Sequence, residues 1–570
     1  MNYQPALEDI NFILHDVLNA PAQLQALPAF SSTDADLMRQ VVDEVGKFVA
    51  QEVAPLQAVG DSVGCQFLAG KVTMPPGFKE AYQSFWHSGW PALTCAPEDG
   101  GQGLPFVLEA VLYEMLSAAN HSWTMAPALL HGAYECLKHH GSEELKAAYL
   151  GKVASGEWLT TMCLTEPHAG SDLGLVRTRA VAQTDGCYHL SGTKIFISGG
   201  EHDLTDNIVH LVLARLAQAP AGPKGLSLFL APKVMPEGAI NAIYCERIEE
   251  KMGLHGSPTC VMRFDAATGW MIGESNCGLN AMFVMMNAAR LHVGLQGIGL
   301  LEAAWQKADA YAKERRQMHA PKAKMSNTPD LIAEHPAMRR ILSTQRAWID
   351  GGRVLAYRTA IEFDLLKQHP DADRRQQAQQ WCHYLTPVLK AAWTAQAFNG
   401  SSECLQVFGG HGYMREWGIE QVVRDARVTM IYEGTNEIQA IDLLLRKVMP
   451  DGGRGLFTLL QTLCDGLDAR LSAVAELMRQ VADLQQLTGV LFEASKKDQE
   501  LPYWVADDYL RAVVLIFMAW AWLQISGTVR VDASELDSAR WTEPASALRH
   551  WILPEFGMRL HIIEARLGRC

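Results

Sequence analysis

The sequence predicts a multidomain α+β protein in which a small antiparallel β domain separates helical domains. With 570 residues, the chain is too long for one ordinary hydrophobic core. Apolar residues recur at helical spacing up to about residue 155 and again after Leu279, which indicates helices on both sides. Between residues 158 and 272, short β-rich runs are bounded by Gly, Pro and Asn, which indicates strands.

The first helices are predicted in an N-terminal leader, residues 1–32, and in an α-helical N-terminal domain, residues 33–157. We expect the leader to pack on the main body through an apolar stripe at helical spacing, formed by Ile10, Ile13, Leu14, Val17 and Leu18. A second helix is predicted to begin near Thr33, where Thr33 and Asp36 form a capping-box pattern. Its predicted inward face consists of Leu37, Val41, Val45 and Phe48.

The middle β domain, residues 158–272, is predicted from its turns and its alternating runs. Asp185-Gly186 interrupts one alternating run and is a typical hairpin signal. Further strands are predicted at 208–216, 226–234, 239–248 and 260–266.

Two helical regions follow the β domain. The first, residues 273–449, contains a polar insert near His319–Glu334 and ends at a predicted linker, Pro450 to Gly453. The second, residues 455–570, carries no chemical motif, and we interpret it as a scaffold or subunit-contact domain. Its longest apolar run, residues 512–523, is too short to span a bilayer and predicts a buried helix.

Composition excludes several classes of function. A net charge of −14 argues against general binding to nucleic acid or to an anionic membrane. The 12 cysteines are scattered singly, without a CxxC pair or a Cys/His cluster, so we expect reduced thiols and no metal site. The N-terminus lacks the basic residues of a signal or transit peptide, which predicts a cytoplasmic protein without a membrane span.

One stretch, RDARVTMIYEGTNEIQ (424–439), places a carboxylate between an aromatic residue and a glycine turn. Glu433 follows Tyr432 and precedes Gly434. A carboxyl among apolar groups can have its pKa raised toward neutrality and act as a general base. Taken alone, a Glu at a helix start more often stabilises the helix.

Three further stretches accompany it: MCLTEPHAGSDLG (162–174), GTKIFISGG (192–200) and QVFGGHGY (406–413). Together and in this order, the four stretches resemble the motifs of acyl-CoA dehydrogenases over most of residues 33–450. The leader and the C-terminal helical block resemble the long bacterial subgroup that includes 3-methylmercaptopropionyl-CoA dehydrogenases. The resemblance implies an α-helical N-terminal domain, a β domain and a C-terminal four-helix-bundle domain, with the extra helical domain after it.

The reaction implied by this resemblance is α,β-dehydrogenation of a saturated acyl-CoA thioester to its trans-2-enoyl-CoA. The implied cofactor is FAD, whose N5 accepts the β-hydride, and the implied catalytic base is Glu433. Some relatives carry the carboxylate on an earlier helix, but the matching residue here is Ala289, which cannot take a proton. The backbone N–H of Glu433 is then expected to bind the thioester oxygen together with a flavin hydroxyl, and Gly434 permits close approach to the substrate.

The residues that the resemblance assigns to FAD are Met162, Leu164, Thr165, Ser171, Phe196, Ser198, Arg315, Gln317, Gln406, Gly409, Gly410, Thr435 and Glu437. Phe196 takes the place where many relatives hold Trp against the flavin, although alternation with Ile195 and Ile197 alone favours a core position. Thr165 and Ser171 could otherwise be ordinary turn residues, and Arg315 could pair with Glu314 on the surface.

Two further implications concern the subunits and CoA. In the family, the residues matching Arg315, Gln317, Gln406, Gly409 and Gly410 usually reach the flavin of a neighbouring subunit, which implies a homodimer or a dimer of dimers. The positions matching the CoA contacts are Ser171, Asn287, Arg290 and Gly434. Asn287 stands where relatives often have Asp, and His168, which departs from the commoner Gly, receives no role.

Alternatives remain at this stage. The family's usual electron acceptor is an electron-transfer flavoprotein, but an acyl-CoA oxidase that uses oxygen would look similar. A flavin-containing, DNA-binding relative without dehydrogenase activity would need a basic C-terminal face, whereas residues 455–570 mix acidic and basic residues. Short-chain, medium-chain and 3-methylthiopropionyl thioesters all stay open as substrates.

Overall fold

The protein folds as a run of helices, a β-sheet and two further sets of helices, as seen in a computed structural model that describes residues 2–321, 327–529 and 535–569. The side chains of residues 283–287 and 535–538 lie outside this description, as do residues 322–326 of the predicted polar insert. The helices before the sheet are α1 (Leu7–Asn11), α2 (Ala20–Gln25), α3 (Ala35–Phe48), α4 (Gln57–Val63), α5 (Phe78–His87), α6 (Phe106–Thr124), α7 (Leu130–His140), α8 (Glu143–Leu145) and α9 (Gly151–Ser155).

The leader packs as the sequence predicts. Its helix α1 continues as a π-helix through Val17, and the apolar stripe is buried except for half-buried Val17. The predicted cap of α3 is wrong, because Asp34 rather than Thr33 accepts the hydrogen bond from the Leu37 N–H (2.8 Å). Starting the helix at this point turns Met38 inward, and Leu37 is only half-buried.

The strands are β1 (Gln66–Leu68), β2 (Lys71–Thr73), β3 (Leu159–Cys163), β4 (Arg179–Ala182), β5 (Tyr188–Ser198), β6 (Ile208–Leu216), β7 (Leu226–Pro232), β8 (Ile243–Ile248) and β9 (Thr259–Ile272). The hairpin of β1 and β2 was not predicted, since three-residue strands give no readable alternation. The hairpin at Gly186, between β4 and β5, is confirmed.

The main sheet is mixed, so the prediction of an antiparallel β domain is wrong. Strand β6 pairs in parallel with β3 and with β4, and antiparallel with β7. The reason is that β3 and β4 occupy successive parts of the same edge of β6, and the chain leaves that edge between them. This excursion is residues 164–178, which we call the edge loop. Five of the strands form a closed ring through the pairings β4–β5, β5–β9, β9–β7, β7–β6 and β6–β4.

Three long helices form the centre of the next region. The helices are α10 (Gly278–Glu314), α11 (Pro336–Gln368), α12 (Ala372–Val407), α13 (Ile419–Arg427) and α14 (Asn436–Ile441). The long helices α10, α11 and α12 pack on one another, and α6 packs against α10 and α11. The predicted four-helix bundle thus has three long helices, with the short α13 and α14 packed on α12.

The C-terminal helices cover this centre. They are α15 (Arg454–Asp465), α16 (Ser472–Ser495), α17 (Leu501–Thr528), α18 (Glu535–Ala547) and α19 (Glu555–Arg566). Helix α17 packs on α11 and α14, and its Trp522 Nε1 donates to the Ala347 carbonyl (2.9 Å). The whole helix α17 is long and apolar enough to cross a membrane, whereas the apolar run within it is shorter. However, 72% of the apolar window of α17 is buried inside the protein. A core helix, as predicted, accounts for this burial.

A buried ion network joins the helical regions. Arg353 of α11 donates to Glu114 of α6 (2.7 Å) and to Glu302 of α10 (2.9 Å). From the C-terminal block, Arg540 of α18 reaches Asp350 of α11 (2.8 Å) and Asp9 of α1 (2.7 Å). Because these charges are withdrawn from water, each must keep its partners. The network therefore fixes α6, α10 and α11 relative to one another and ties the leader to the extension.

Replacing Arg353 by Met removes the cation that lies between two buried carboxylates. We expect the free energy of unfolding to fall by about 3–5 kcal/mol, because uncompensated buried charges remain. Urea denaturation followed by tryptophan fluorescence measures the change. The matched control is Arg470→Met, since Arg470 forms an exposed pair with Asp468 and should contribute little to the free energy of unfolding. Equal shifts for the two variants would contradict this account.

Candidate active site

The turn that carries Glu433 has a strained backbone. Both Glu433 (φ +54°) and Gly434 (φ +84°) adopt the left-handed region, which is unusual for a residue with a side chain. The turn is held from its C-terminal side, where Gln439 Nε2 donates to the Glu433 carbonyl (3.1 Å) and Thr435 caps α14. Such strain persists only where the surroundings impose it, and it concentrates at functional sites.

Tyr432 fixes the other side of this turn. Its hydroxyl donates to Gln296 Oε1 of α10 (2.6 Å) and lies 3.2 Å from His121 Nε2 of α6. Burial lowers the pKa of His121 to about 3, so the ring is neutral. Since the only hydroxyl proton points to Gln296, His121 Nε2–H must donate to the Tyr432 oxygen. The turn is therefore bound to two separate helices.

The Glu433 carboxyl is half-buried and forms no ion pair within 4 Å in the part of the chain that the structure describes. Burial raises its pKa, and the positive charges of Arg290 and Lys390 offset only part of this shift. Lys390 donates to Asn436 Oδ1 (2.9 Å), and burial lowers its own pKa to about 7. Arg290 lies 3.8 Å from Asp442. The result is a carboxyl poised to exchange a proton.

A narrow cleft adjoins α10. It is lined by Ala128, Leu129, Gly132, Met162, Ala288, Ala289 and His292, and its volume of about 10 Å³ is that of about one water molecule. Ala289, His292 and Gln296 share one face of the helix by their i, i+3, i+7 spacing. The cleft and the anchor of Tyr432 therefore lie on the same face. At Ala289 the cleft offers only a methyl group.

The edge loop is anchored by a buried ion pair. Glu166 accepts hydrogen bonds from Lys194 Nζ (3.0 Å) and from the hydroxyl and N–H of Thr178 (2.6 and 2.9 Å). Arg215 donates to two loop carbonyls, of Gly174 and Val176. His168 Nε2 lies 3.1 Å from the carbonyl of Leu175, which is a structural contact. These bonds fix the conformation of the edge loop between β3 and β4.

Phe196 projects outward beside this loop. It has φ +59° and is 61% exposed, at an irregularity between the paired residues Lys194 and Ile197 of β5. Its neighbour Ile195 donates to the Thr165 carbonyl (2.9 Å), which brings Thr165 and Phe196 side by side. The core position favoured by simple alternation is wrong, because the bulge turns the side chain out. A strained, exposed aromatic next to polar loop residues fits a planar ligand.

A second set of predicted cofactor residues lies at the ends of α10 and α12. Arg315, Gln317, Gln406, Gly409 and Gly410 are all exposed there. The two helix ends are joined by Tyr311, which stacks on Phe408 (4.3 Å) and hydrogen-bonds His411 (2.9 Å). Arg315 donates to Gln317 (3.3 Å). Among the described residues, no hydrogen bond or ion pair joins this surface to residues 162–198.

The remaining predicted residues are placed as follows. Met162 is buried in β3, Leu164 begins the edge loop, and Ser198 ends β5. Ser171 is exposed on the edge loop, and Glu437 is exposed on α14. The side chain of Asn287 lies outside the described part of the protein.

Comparison with known families and proteins identifies the chain. Residues 36–157, 161–267 and 276–448 match the N-terminal, middle and C-terminal domains of acyl-CoA dehydrogenase. A 3-methylmercaptopropionyl-CoA dehydrogenase from Ruegeria pomeroyi is 44% identical over 459 residues, which cover 80% of this chain and 78% of the relative. The chain belongs to the acyl-CoA dehydrogenase family. It is an FAD-dependent oxidoreductase.

Two solved structures share the fold of this acyl-CoA dehydrogenase, extension included. Caenorhabditis elegans ACDH-11 in complex with C11-CoA superimposes with a TM-score of 0.77 at 20% identity, covering 100% of this chain and 96% of that one. An acyl-CoA dehydrogenase from Bacillus anthracis complexed with FAD gives 0.74 at 20% identity, covering 93% and 90%. At this identity both show the fold alone.

Sequence reasoning missed several residues of this site. His292 and Gln296 could have been found, since both polar residues share with Ala289 one face of the predicted helix. His121, Lys390 and their contacts have no local signal, because single polar residues in long helices are common. Their proximity to Glu433 comes only from tertiary packing.

Replacing Glu433 by Gln should stabilise the acyl-CoA dehydrogenase at neutral and alkaline pH. The folded-state pKa of Glu433 lies above its unfolded value. Folding at pH 8 therefore holds a carboxylate in a site that disfavours it, and this penalty disappears below the unfolded pKa of about 4.3. Urea unfolding at pH 8 and at pH 4 measures the difference. Glu493→Gln, at an exposed position, is the control, and a Glu433→Gln variant less stable than wild type at pH 8 would refute the assignment.

Proposed function

We propose that Glu433 is the base that removes the α-proton of a saturated acyl-CoA thioester, so that this acyl-CoA dehydrogenase forms a trans-2-enoyl-CoA. The observation that carries this proposal is a half-buried carboxyl with a raised pKa, on a strained turn, without an ion-pair partner in the described residues. A base of this kind is most effective when its pKa lies near the working pH. The neighbouring cations Arg290 and Lys390 favour the ionised form that accepts the proton.

The backbone of the same turn supplies a donor for the thioester oxygen. Among the described residues, the Glu433 N–H makes no hydrogen bond within the protein. Removal of the α-proton places negative charge on the carbonyl oxygen, and a fixed N–H directed at it lowers the barrier by about 3–4 kcal/mol. One turn of backbone thus provides both the base and the donor. Gly434 keeps the adjoining space clear, because a Cβ there would come within 2.7 Å of Gln439.

FAD, when bound, supplies the acceptor for the hydride that leaves the β-carbon. The residues fit this cofactor, because Phe196 exposes a large aromatic face beside Thr165. In our proposal Phe196 stacks on the isoalloxazine ring, supported by Met162, Leu164, Thr165 and Ser198. Ser171 of the edge loop binds the adjacent phosphate or ribityl region and the CoA.

The second set of predicted cofactor residues leads us to expect another subunit at the site. Because Arg315, Gln317, Gln406, Gly409 and Gly410 lie on an exposed surface of their own, we propose that they contact the FAD of a neighbouring protomer. We expect Thr435 and Glu437 to complete the site at α14, and we keep Asn287 and Arg290 as the predicted contacts of CoA. The enzyme would then be a homodimer or a dimer of dimers. A monomer in sedimentation experiments with FAD bound would exclude this arrangement.

The substrate is proposed to be a short acyl thioester. The cleft beside Ala289 is small, and the relative from Ruegeria pomeroyi is named for a short thioether-containing acyl group. A cleft that holds about one water molecule must open to admit any acyl group, and short straight-chain thioesters and 3-methylthiopropionyl-CoA require less opening than long chains do. The proposed electron acceptor is an electron-transfer flavoprotein. An oxidase using oxygen is the second candidate, because oxygen access depends on details of the same cleft.

Turnover by the Glu433→Gln variant tests this function. With butanoyl-CoA or 3-methylthiopropionyl-CoA and an artificial electron acceptor, we expect kcat to fall by at least about 100-fold, because general-base catalysis contributes that much or more. In the wild type, kcat should rise with pH as Glu433 ionises. The control Glu493→Gln should keep wild-type turnover, and flavin absorbance shows whether each variant retains FAD.

Two outcomes of this experiment would change the proposal. A decrease of only a few-fold in Glu433→Gln would remove Glu433 from the role of base. Hydrogen peroxide formed in proportion to product, without an added acceptor, would establish the oxidase instead of the dehydrogenase.

A further inference from the structure

We propose that His292 forms a polar end to the acyl cleft and selects short acyl-CoA thioesters that carry an uncharged heteroatom at the γ-position over hydrocarbon chains of the same length. The heteroatom is a thioether sulfur or a hydroxyl oxygen. This inference rests on the proposed function, since it concerns the same cleft. It adds a residue that determines specificity and that neither binds the flavin nor moves the proton.

The position of His292 relative to the base supports this role. His292 lines the cleft together with Ala288 and Ala289, and Gln296 lies four residues farther along the same face of α10. Gln296 is the residue that holds Tyr432, next to Glu433. Four residues of helix correspond to about 6 Å. His292 therefore lies about one helical turn from the residue that anchors the turn of Glu433, and an acyl chain that extends from Glu433 into the cleft meets His292.

His292 is a buried polar group with unused bonding capacity. Its ring is 4% exposed and stacks on Tyr113, with a centroid distance of 4.7 Å. Nε2 is buried and lies 3.2 Å from Glu109 Oε1, yet neither of these atoms completes a hydrogen bond among the described residues. Nδ1 makes no hydrogen bond to a described residue either. A buried polar group with unmade hydrogen bonds is unfavourable in an empty cleft, and a ligand atom that pairs with the ring gains affinity.

The groups behind His292 set the charge of this end of the cleft. His131 Nδ1 lies 3.0 Å from Glu109 Oε2, and the Thr94 hydroxyl donates to the same carboxylate. Burial lowers the pKa of His131, but Glu109 outweighs it and the pKa is raised. Glu109 and His131 therefore form a buried pair of opposite charge. The end of the cleft is close to neutral overall, which favours an uncharged heteroatom over a carboxylate.

The surrounding walls are small and apolar. Ala128, Gly132, Ala288 and Ala289 line the cleft and offer no hydrogen-bonding side chain, and the thioether of Met162 is the other polarisable group there. A thioether sulfur contacts ring edges favourably, and a hydroxyl can donate to an unprotonated Nδ1. A methylene at the same position gains neither contact.

The test compares isosteric thioesters. 3-Methylthiopropionyl-CoA and pentanoyl-CoA differ only in sulfur against CH₂ at the γ-position, and 4-hydroxybutanoyl-CoA carries a hydroxyl on its γ-carbon in place of the terminal methyl of pentanoyl-CoA. For the wild type, we expect kcat/KM for at least one heteroatom thioester to exceed that for pentanoyl-CoA by about twofold to tenfold, the range of a sulfur–aromatic contact. In His292→Leu this preference should vanish while turnover of pentanoyl-CoA persists. His139→Leu, at an exposed position of α7, should keep the wild-type ratio.

A second readout covers the case in which His292→Leu does not fold. Calorimetric binding of the same thioesters to FAD-loaded Glu433→Gln should show the same preference, and His292→Gln, which keeps a polar side chain, should retain part of it. Ratios within twofold of unity in wild type, or a ratio unchanged in His292→Leu, would overturn the proposal. If Glu433→Gln turns over normally but the binding preference holds, the assignment of the base fails and that of His292 stands.

Discussion

The site depends first on the hydrogen bond from the Tyr432 hydroxyl to Gln296. This bond fixes the residue before Glu433 to the face of α10 that lines the cleft at Ala289 and His292, and His121 adds a second bond from α6. Without it, the left-handed conformation of Glu433 would lose the shorter of its two side-chain supports on the N-terminal side. The carboxyl of Glu433 and its N–H, which makes no hydrogen bond to a described residue, are thereby held next to this anchor. A raised pKa at Glu433 follows from this placement rather than from a special neighbour.

The rest of the protein keeps that face of α10 in position. The ion network around Arg353 and Glu302 locks α6, α10 and α11 together, and Arg540 extends it to the leader and to α18. The extension also packs α17 directly on α14, the helix that starts after the turn of Glu433. We therefore see the extension as support for this turn as well as a scaffold. Whether it also contacts another subunit is a separate prediction.

Much of this organisation could be predicted from sequence, and the failures have physical causes. The order of helices and strands follows from periodicity, and the proposed role of Glu433 follows from the motif. The parallel pairing of β6 could not be predicted, because β3 and β4 are one interrupted edge whose two parts are separated by the edge loop. Phe196 could not be placed by alternation, because a bulge reverses its direction. Lys390 contacts Asn436, more than 40 positions away, and His292 contacts Glu109, more than 100 positions away. The sequence around each residue therefore does not indicate its surroundings.

Anaerobic titration of the FAD-loaded enzyme with acyl-CoA thioesters tests the central claim most directly. Butanoyl-CoA or 3-methylthiopropionyl-CoA should abolish the absorbance band of oxidised flavin in the wild type, and palmitoyl-CoA should leave it largely unchanged, since the small cleft must open much farther for a long chain. The same thioesters should leave the band intact in Glu433→Gln over the same period. Bleaching of Glu433→Gln at the wild-type rate, or no bleaching of the wild type by any thioester, would contradict the account.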